Sequence, residues 1–325
     1  MHDNPDPDAI ASGWAIHALI EEKLARAARL VGGGAIVRAE NRHMVELLQP
    51  PIELVNDLGD CDHTATILVD CGLEASNHLL SRDDVYPVAV IDHHLNGQRK
   101  SGVPFCDIRS DVAASATIAA SYLREQQIDP GAKLATALTY AIRTETRGSE
   151  THYSALDRKI VPWLTERSEP SLLADIESAP LARDYYGDLV LAMQNTFVYD
   201  DAALCLLPRA SGAEIVGEVA DLLVRCEAIR RVLCGAAIGN DLLVSVRTDR
   251  DAGDAAKLLQ TTLEGLGGGG GHGHRAGGKI RGVAHGTKIS EDLQADLRTR
   301  WLTACNVAHG RGTRLIARHE IVENL

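Results

Sequence analysis

The sequence lacks the features that mark membrane-bound and secreted proteins. Its 325 residues contain no apolar run near the ~18 residues that a membrane span needs. No charged and then apolar leader precedes the first motif, so we expect neither a membrane anchor nor a signal peptide. The seven cysteines contain no CxxC pair. This spacing is typical of free thiols in a reducing compartment, and we expect a cytoplasmic protein.

The chain also lacks an excess of basic residues. Its 33 Lys and Arg against 45 Asp and Glu give a formal net charge of −12. Proteins that bind long nucleic acid by its phosphates usually present a basic face. We therefore expect no long duplex nucleic acid as a partner. The composition is compatible with small anionic substrates whose charge is balanced by bound cations. Hydrophobic residues at 45% and charged residues at 24% exclude disordered and collagen-like chains.

Short apolar runs in the first half each end in an acid. The runs cover residues 65–69 and 85–91, and helix-like stretches follow at 113–126 and 132–142. Strands that alternate with helices indicate an α/β domain with a parallel sheet. A further helix-like stretch begins near residue 8. The first half is therefore predicted to place acidic residues at the carboxyl ends of buried strands.

The second half has a different pattern. The β-like runs 232–238 and 242–246 are separated by Gly239-Asn240, a hairpin signal, and 254–266 is helix-like. This pattern predicts a smaller α/β domain with a mixed sheet. The length also fits about two domains. We expect a catalytic domain at 1–165, a proline-containing linker at 166–190 and a substrate domain at 191–325.

The first chemical motif is His2-Asp3-Asn4-Pro5-Asp6-Pro7-Asp8, directly before the first helix-like stretch. The two prolines stiffen this turn, so that His2, Asp6 and Asp8 can point to a common place. Asp residues before a helix also serve as N-caps, each worth about 1 kcal/mol. The whole string favours metal binding over capping alone.

Further acids and imidazoles follow the apolar runs. Asp70 ends the first run, and Asp92-His93-His94 closes the second. The alternatives are a loop-capping role for Asp70 and a surface pair for the two histidines. Glu145, between two threonines, is on its own typical of a solvated face.

Together these segments supply several carboxylates and fewer imidazoles. Such donors suit Mn²⁺ or Mg²⁺ better than Zn²⁺. The carboxylates are too many for one ion, whereas two ions about 3.5–4 Å apart that share a carboxylate would use them all. Such a pair activates water and holds both the attacking and the leaving oxygen of a phosphoryl group. The segments therefore predict hydrolysis of a phosphoester.

The ordered motifs resemble those of the DHH phosphoesterases. They are HDNPDPDAIAS from residue 2, LVDCG, IDHH and TET, and later Ser245-Val246-Arg247-Thr248 and GGGGGHGHRAGG at 267–278, as in the DHH-associated domain. The resemblance covers nearly the whole chain. By size the chain is similar to the nano-RNases, pAp phosphatases and cyclic-dinucleotide phosphodiesterases, since RecJ-type exonucleases carry extra domains. Family II pyrophosphatases have a different second domain.

The resemblance implies a two-ion centre, with Mn²⁺ as the expected cofactor and Mg²⁺ as its alternative. The implied metal ligands are His2, Asp6, Asp8, Asp70, His93 and Glu145. His2 and Asp6 would hold the first ion, Asp8 and His93 the second, and Asp70 would bridge both. Glu145 stands where the family has Asp, so it would reach one methylene further.

The remaining motif residues have implied roles in catalysis. Asp92 would orient His93 or lie close to the ions. His94 would contact the scissile phosphate and act as an acid. The family has a strand before the first His, whereas only Met1 precedes His2 here. Either the natural start lies upstream of Met1 or the sheet lacks this first strand. In the second case we expect His2 to be weakly anchored and the first metal site to be weakened.

In the second domain the resemblance implies a substrate site. Its expected residues are Ser245, Arg247, Gly269, Gly270, Gly271 and His272. The glycine run would form a loop whose exposed N–H groups hold a terminal phosphate, and Arg247 and His272 would add charge-assisted hydrogen bonds. A glycine run alone is more often a flexible linker, but the residues around it favour the binding loop.

We therefore expect a Mn²⁺-dependent phosphoesterase that acts on short oligonucleotides or small nucleotides, in a cleft between the two domains. The alternatives are release of phosphate from pAp, hydrolysis of a cyclic dinucleotide, and a non-catalytic member that binds a nucleotide for regulation. The sequence leaves open whether the protein is a monomer or a homodimer.

Overall fold

The computed structural model describes residues 1–59, 64–75, 77–83, 85–94, 102–146, 153–249, 251–285, 288–308 and 310–316, with only the backbone of His272 and His285. The chain divides into two compact units, Met1–Pro180 and Leu181–Leu325. The division lies inside the segment 166–190 that the sequence marks as a linker. Among the described residues, none of the helices combines the length and the apolar character that crossing a membrane requires.

The N-terminal unit is built on short parallel strands. Its strands are β1 (Leu30–Gly32), β2 (Ile52–Leu54), β3 (Ile67–Val69), β4 (Ala89–Asp92) and β5 (Phe105–Ile108). Its helices are α1 (Pro7–Leu24), α2 (Ala39–Leu48), α3 (Leu79–Arg82), α4 (Ser115–Glu125), α5 (Gly131–Thr146), α6 (Asp157–Thr165) and α7 (Pro170–Glu177). Within the described ranges, β1 pairs with β2, and β3, β4 and β5 form a second sheet in that order. All these pairs are parallel, as predicted.

Helix α1 directly follows the His2–Asp8 motif. The Asp6 side chain accepts a hydrogen bond from the Ala9 N–H, and Pro7 occupies the first helical position. The helix ends at Leu24 because Ala25 adopts a left-handed conformation, with φ of 48°. The helix packs on α4 and α5 through a buried face of small and branched residues. The capping role considered for this motif is therefore present at Asp6.

The strands β3 and β4 bring their acids to one edge. All four residues of β4 are buried, as expected for a strand covered on both faces. Asp92 ends β4, and Asp70 directly follows β3. Because the two strands are parallel neighbours, their carboxyl ends place both acids at the same side of the sheet.

The C-terminal unit contains a mixed sheet. Its strands are β6 (Thr196–Tyr199), β7 (Ala202–Leu207), β8 (Arg231–Ile238), β9 (Asp241–Thr248), β10 (Gly268–His272), β11 (Arg275–Ile280), β12 (Ala284–His285), β13 (Lys288–Ile289) and β14 (Thr313–Arg314). Its helices are α8 (Arg183–Asn195), α9 (Ile215–Leu223), α10 (Ala255–Leu263) and α11 (Glu291–Ala304). In the described chain the main sheet has the order β10-β11-β9-β8-β7-β6-β14. The β7–β8 pair is parallel and its neighbours are antiparallel, which confirms the predicted mixed sheet.

Helices cover both faces of this sheet. Helices α8 and α9 contact one face, and α10 and α11 contact the other. Trp301 is fully buried on the second face, where its Nε1–H donates to the Ala203 carbonyl oxygen at 3.1 Å. The predicted hairpin between β8 and β9 is present, and Gly239 in its turn has φ of 61°.

The glycine run forms a strand rather than the predicted loop. Strand β10 lies at the sheet edge and pairs with β11, from Gly268 opposite Lys279 to His272 opposite Arg275. A Cβ atom on Gly269 would lie 2.4 Å from the Gly277 carbonyl oxygen. The absence of side chains thus lets the two backbones approach closely, which explains why a glycine-rich segment forms a strand here.

Candidate metal centre

The turn that carries His2 is held by backbone hydrogen bonds on both sides. The Asp3 N–H donates to the Asn77 carbonyl oxygen at 2.6 Å, and the Asn4 N–H donates to Gly33 at 2.9 Å. His2 itself forms an isolated bridge with His78. The expectation of a weakly anchored His2 is therefore wrong, because segments that follow it in the sequence supply the support.

Asp70 occupies an uncommon backbone conformation. Its φ is 58°, a region that non-glycine residues seldom adopt and that concentrates at functional sites. Its N–H donates to the Ile91 carbonyl oxygen at 2.9 Å, and the Ser115 hydroxyl donates to its Oδ1 at 2.8 Å. The side chain is 1% exposed. These contacts fix a buried carboxylate at the end of β3.

Two imidazoles approach opposite oxygens of Asp70. The His2 Nε2 lies 3.7 Å from Oδ2, and the His93 Nε2 lies 3.8 Å from Oδ1. A second carboxylate accompanies each imidazole. Asp6 Oδ1 is 3.8 Å from the His2 Nε2, and Asp8 Oδ2 is 3.6 Å from the His93 Nε2. Asp70 therefore lies between two imidazole–carboxylate pairs.

Four of these side chains, together with His94, form two groups suited to metal ligation, and Asp8 belongs to neither group. Each group offers three ligand atoms within 4.8 Å of one another, and both groups contain Asp70. The groups are His2, Asp6 and Asp70, and Asp70, His93 and His94. Carboxylate oxygens with a minority of imidazole nitrogens are donors that Mn²⁺ and Mg²⁺ accept. The shared carboxylate matches the bridge that two ions require.

Asp8 is held by the start of helix α4. Its Oδ1 accepts the Ala116 N–H at 2.7 Å, and its Oδ2 accepts the Ser115 N–H at 2.8 Å. The first N–H groups of a helix have no partner within the helix, and its N-terminus favours negative charge. The helix thereby fixes a carboxylate that is 1% exposed.

Asp92 orients His94. Its Oδ1 accepts from the His94 Nδ1 at 2.7 Å, and from the backbone N–H groups of His93 and His94 at 2.8 and 3.2 Å. The contact between Asp92 and His93 is to the backbone N–H, so the expected roles of Asp92, orienting His93 or lying close to the ions, stay predictions. The Asp92 Oδ2 is buried and has no hydrogen-bond partner among the described residues. A buried carboxylate oxygen without a donor fits a centre that a cation completes.

The charges of the centre show which groups need a cation. Burial, reinforced by the charges of Asp70 and Glu145, raises the pKa of Asp8 well above its ordinary value. Burial lowers the pKa of His93, which favours the neutral imidazole that binds metals. Burial also opposes the charge of His2, but the carboxylates of Asp6 and Asp70 raise the pKa of His2 to about 11. The carboxylates of the centre outnumber its protonated imidazoles, and divalent cations would balance the excess negative charge.

His94 has a different electrostatic environment. Its hydrogen bond to Asp92 raises its pKa to about 9 against the effect of burial, and the charges of Asp70 and Glu145 contribute. Its side chain is 40% exposed, whereas Asp92 is fully buried. His94 can therefore present a protonated imidazole to a ligand. Glu145, in the last turn of α5, acts on both Asp8 and His94 through its charge.

The predicted substrate residues Ser245 and Arg247 lie together on β9. The Arg247 Nε donates to Asp221 Oδ1 at 2.8 Å, its Nη2 donates to Asp221 Oδ2 at 3.3 Å, and its Nη1 donates to the Ser245 hydroxyl at 2.7 Å. The Arg247 side chain is 12% exposed. Protein groups therefore accept most of its hydrogen bonds, and Arg247 orients the Ser245 hydroxyl.

The three predicted glycines differ in their surroundings. A Cβ atom on Gly269 or Gly271 would lie within 2.5 Å of the backbone of β11, whereas one on Gly270 would meet no described atom within 4 Å. Gly270 lies opposite Gly277, which lies opposite Ser245. Residues directly opposite share a face of the sheet, so Gly270 and Ser245 lie on the same face, where Gly270 is open and Ser245 is buried. The predicted side-chain role of His272 falls outside what the structure describes.

The sequence of residues 1–142 matches the model of the DHH family, N-terminal domain. This part of the chain is similar to that domain of the DHH family. The DHH match includes the His2 turn, Asp70 and the Asp92-His93-His94 motif, and it confirms the resemblance seen in the sequence. Glu145 lies just beyond the matched residues.

Relatives of the chain include an uncharacterized protein of Methanocaldococcus jannaschii, 30% identical over 281 residues. These residues are 86% of this chain and 56% of the relative, so the chain spans little more than half of that protein. The structure of an exopolyphosphatase-related protein from Bacteroides fragilis is similar with a TM-score of 0.71 and 14% identity, over 94% of this chain and 91% of that chain. It shares the fold. A putative family II inorganic pyrophosphatase of Methanococcus jannaschii gives a TM-score of 0.46 and 18% identity, over 94% and 98%.

Most of the residues expected from the DHH motifs lie close together in the N-terminal unit. They are His2, Asp6, Asp8, Asp70, Asp92, His93 and His94. The expected substrate residues lie in the other unit. Their roles in binding metal and substrate remain predictions.

The sequence analysis missed several supporting residues of the N-terminal unit. Ser115 contacts both Asp8 and Asp70, although only its position at a helix start could have marked it. A Cβ atom on Gly33 would lie 2.0 Å from the Asp3 carboxylate, and Gly34 has φ of 74°. The Gly32-Gly33-Gly34 run after β1 was the available signal, since such runs allow close approach of another backbone.

Proposed function

We propose that this chain is a phosphoesterase that uses two divalent cations, Mn²⁺ or alternatively Mg²⁺, to hydrolyse short oligonucleotides or small nucleotides. The supporting observation is the position of Asp70 between two imidazoles, 3.7 and 3.8 Å from its two oxygens. These separations exceed hydrogen-bond lengths. The match of residues 1–142 to the N-terminal domain of the DHH family supports the same activity.

The proposed ligands divide into two sets around Asp70. His2 and Asp6 complete the first set, and Asp8 and His93 complete the second. Glu145 adds negative charge near Asp8. When bound, the two ions supply an activated water and stabilise negative charge on the phosphoryl oxygens. The protein's contribution is to hold the carboxylates rigidly through the backbone of β3 and the start of α4.

His94 is the proposed acid. Asp92 accepts from its Nδ1, which fixes the ring and leaves Nε2 as the second donor. With its pKa raised to about 9, the imidazole is protonated near neutral pH. It can donate a hydrogen bond to the scissile phosphate and a proton to the leaving oxygen.

The C-terminal unit is the proposed substrate-binding unit. Ser245, which Arg247 orients, shares a face of the sheet with Gly277 and the open position of Gly270, and this face is the proposed contact for one end of a nucleotide. The net charge of −12 disfavours long polyanions. We therefore assign short substrates to this protein.

A substrate panel with metal analysis tests the proposal. Chelator-treated protein is reloaded with Mn²⁺ or Mg²⁺ and tested on pAp, pApA and bis-p-nitrophenyl phosphate, and bound metal is counted by calorimetry. We expect two bound ions and metal-dependent hydrolysis of pApA. Cleavage of pAp alone would indicate a phosphomonoesterase. Nucleotide binding without metal and without turnover would contradict the proposal and indicate a regulatory protein.

A further inference from the structure

Asp157 is a fully buried carboxylate at the start of α6, separate from the proposed ligands. Its Oδ2 accepts the N–H groups of Ala113 and Ser154 at 3.1 and 2.7 Å. Its Oδ1 accepts from the Thr117 hydroxyl at 2.6 Å. A buried carboxylate is costly unless donors compensate it. The three hydrogen bonds provide this compensation and join the start of α6 to the residues around the start of α4.

The segment 113–117 has a second set of partners. The N–H groups of Ser115 and Ala116 donate to Asp8, and the Ser115 hydroxyl donates to Asp70 at 2.8 Å. Ala114, the N-cap residue of α4, makes no side-chain capping bond. The first turn of α4 therefore depends on carboxylates from elsewhere in the chain, and both sets lie within five consecutive residues.

We infer that Asp157 is a positioning residue for the metal centre, because it fixes the turn that holds Asp8 and Asp70. The inference rests on the proposed function, because Asp157 affects metal binding only if Asp8 and Asp70 are metal ligands. Asp8 and Asp70 carry like charges and repel each other. Their donors must therefore be held in place, and Asp157 anchors the segment that supplies them.

Asp157→Asn is the direct test. Asn has the size of Asp, but it is neutral and its NH2 group replaces the oxygen that accepts from the Thr117 hydroxyl. The charge-assisted hydrogen bonds that hold the segment are therefore lost or weakened. We expect the dissociation constant for Mn²⁺ to rise about tenfold, the scale found when residues that orient metal ligands are replaced. Mn²⁺ binding is measured by electron paramagnetic resonance on chelator-treated protein, and thermal unfolding in chelator shows whether the variant is folded.

Asp188→Asn is the matched control. Asp188 lies in α8 of the other unit, is 3% exposed and accepts the Ser211 N–H at 2.7 Å. This variant loses a comparable buried carboxylate, and we expect its Mn²⁺ affinity to stay within about twofold of the wild type. A drop as large as that of Asp157→Asn would overturn the inference, because the effect would then follow from general destabilisation.

A pair of substitutions at Thr117 decides the question if Asp157→Asn does not fold. Thr117→Ser keeps the hydroxyl that donates to Asp157, whereas Thr117→Val keeps the shape and loses the donor. We expect Thr117→Val to bind Mn²⁺ several-fold more weakly than Thr117→Ser. Equal Mn²⁺ affinity in folded forms of both variants would overturn the inference about Asp157 but would leave the proposed function standing. A wild-type protein that binds no Mn²⁺ would overturn the proposed function, and the inference with it.

Discussion

The expected metal ligands of the N-terminal unit and the expected substrate residues of the C-terminal unit differ in how closely their side chains contact one another. In the N-terminal unit, His2 and His93 stand 3.6 to 3.8 Å from the neighbouring carboxylates, beyond hydrogen-bond length. In the C-terminal unit, Arg247 bonds Ser245 and Asp221 at 2.7 and 2.8 Å. The first set of side chains is not joined by direct hydrogen bonds, whereas the second set is. We expect this difference if the first set holds an ion and the second set contacts a substrate.

The backbones of the two units match this division. The strands β3, β4 and β5 contain only three or four residues, and Asp70 follows β3 in a left-handed conformation. Strands β8 and β9 each contain eight residues and pair along their full length. In the N-terminal unit the carboxyl ends of the neighbouring parallel strands lie side by side, so the side chains that follow them are close together. In the C-terminal unit the long paired strands form a continuous sheet face.

Asp70→Asn has the largest expected effect, because it removes the carboxylate that is proposed to bridge the two ions in the N-terminal unit. Asn tolerates the left-handed backbone of residue 70, so we expect the fold to be kept. An amide cannot bridge two cations as a carboxylate can, so we expect hydrolysis to fall by roughly 10²–10³-fold, the scale of removing one group that stabilises transition-state charge. Initial rates on pApA with Mn²⁺ measure the change.

Asp221→Asn is the control for Asp70→Asn, because it makes the same chemical change in the C-terminal unit. Asp221 holds Arg247 and belongs to no group of expected metal ligands. We expect its Mn²⁺ affinity to be unchanged. Full Mn²⁺-dependent activity in Asp70→Asn would contradict the bridging role.

Asp92→Asn tests whether the carboxylate sets the protonation of His94. In metal-free protein we expect the His94 ring to titrate near pH 9, and in the variant near its ordinary value of 6.5, a change of about 300-fold in proton affinity. A raised pKa means that the folded state binds the proton more tightly. The resulting stability is complete below pH 6.5 and is lost as the pH rises through about 9.

NMR titration of the His94 ring in both proteins measures this shift, and thermal unfolding of metal-free protein between pH 6 and 10 follows the stability. Asp221→Asn is again the control, since its carboxylate lies in the other unit. A wild-type His94 that already titrates near 6.5 would show that Asp92 does not raise its pKa.

Gly269→Ala tests the C-terminal side of the comparison. Its Cβ would lie 2.4 Å from the Gly277 carbonyl oxygen and 2.5 Å from the Gly278 Cα, so the backbones of β10 and β11 would have to separate. We expect a destabilisation of about 1–3 kcal/mol, the range for overpacking. Denaturant unfolding measures it. Mn²⁺ affinity should be unchanged, and a loss of Mn²⁺ binding would show that the two units are not independent in this respect.

The sequence indicated which candidate ligands lie together, but it did not indicate the residues that hold them in place. Asp70 and Asp92 follow short apolar runs, and parallel strands bring their ends to one edge, so their proximity followed from local pattern. Ser115 and Asp157 carry no such pattern. They act through hydrogen bonds to residues 40 to 107 positions away in the sequence, such as Asp157 to Thr117 and Ser115 to Asp8. Such contacts depend on tertiary packing.

For the glycine run, the local sequence pattern predicted the wrong secondary structure. Glycine has a low strand propensity, so residues 267–271 favoured a loop. Pairing with β11 overrides this preference, because Gly269 and Gly271 permit a backbone approach that side chains would prevent. The face of the sheet that Gly270 shares with Ser245 follows only from the strand register. Register cannot be read from residues without side chains, since no alternation marks their faces.

Gly270→Ala gives the smallest expected effect on stability and sharpens the role of that face. No described atom lies within 4 Å of the position of its Cβ, so we expect the free energy of unfolding to change by less than about 0.5 kcal/mol. The new methyl group would lie on the face of the sheet that includes Ser245. If that face receives the nucleotide, KM for pApA should rise several-fold while kcat and Mn²⁺ affinity stay constant. An unchanged KM would show that the substrate binds elsewhere. The difference between Gly270→Ala and Gly269→Ala would then be a difference in stability only.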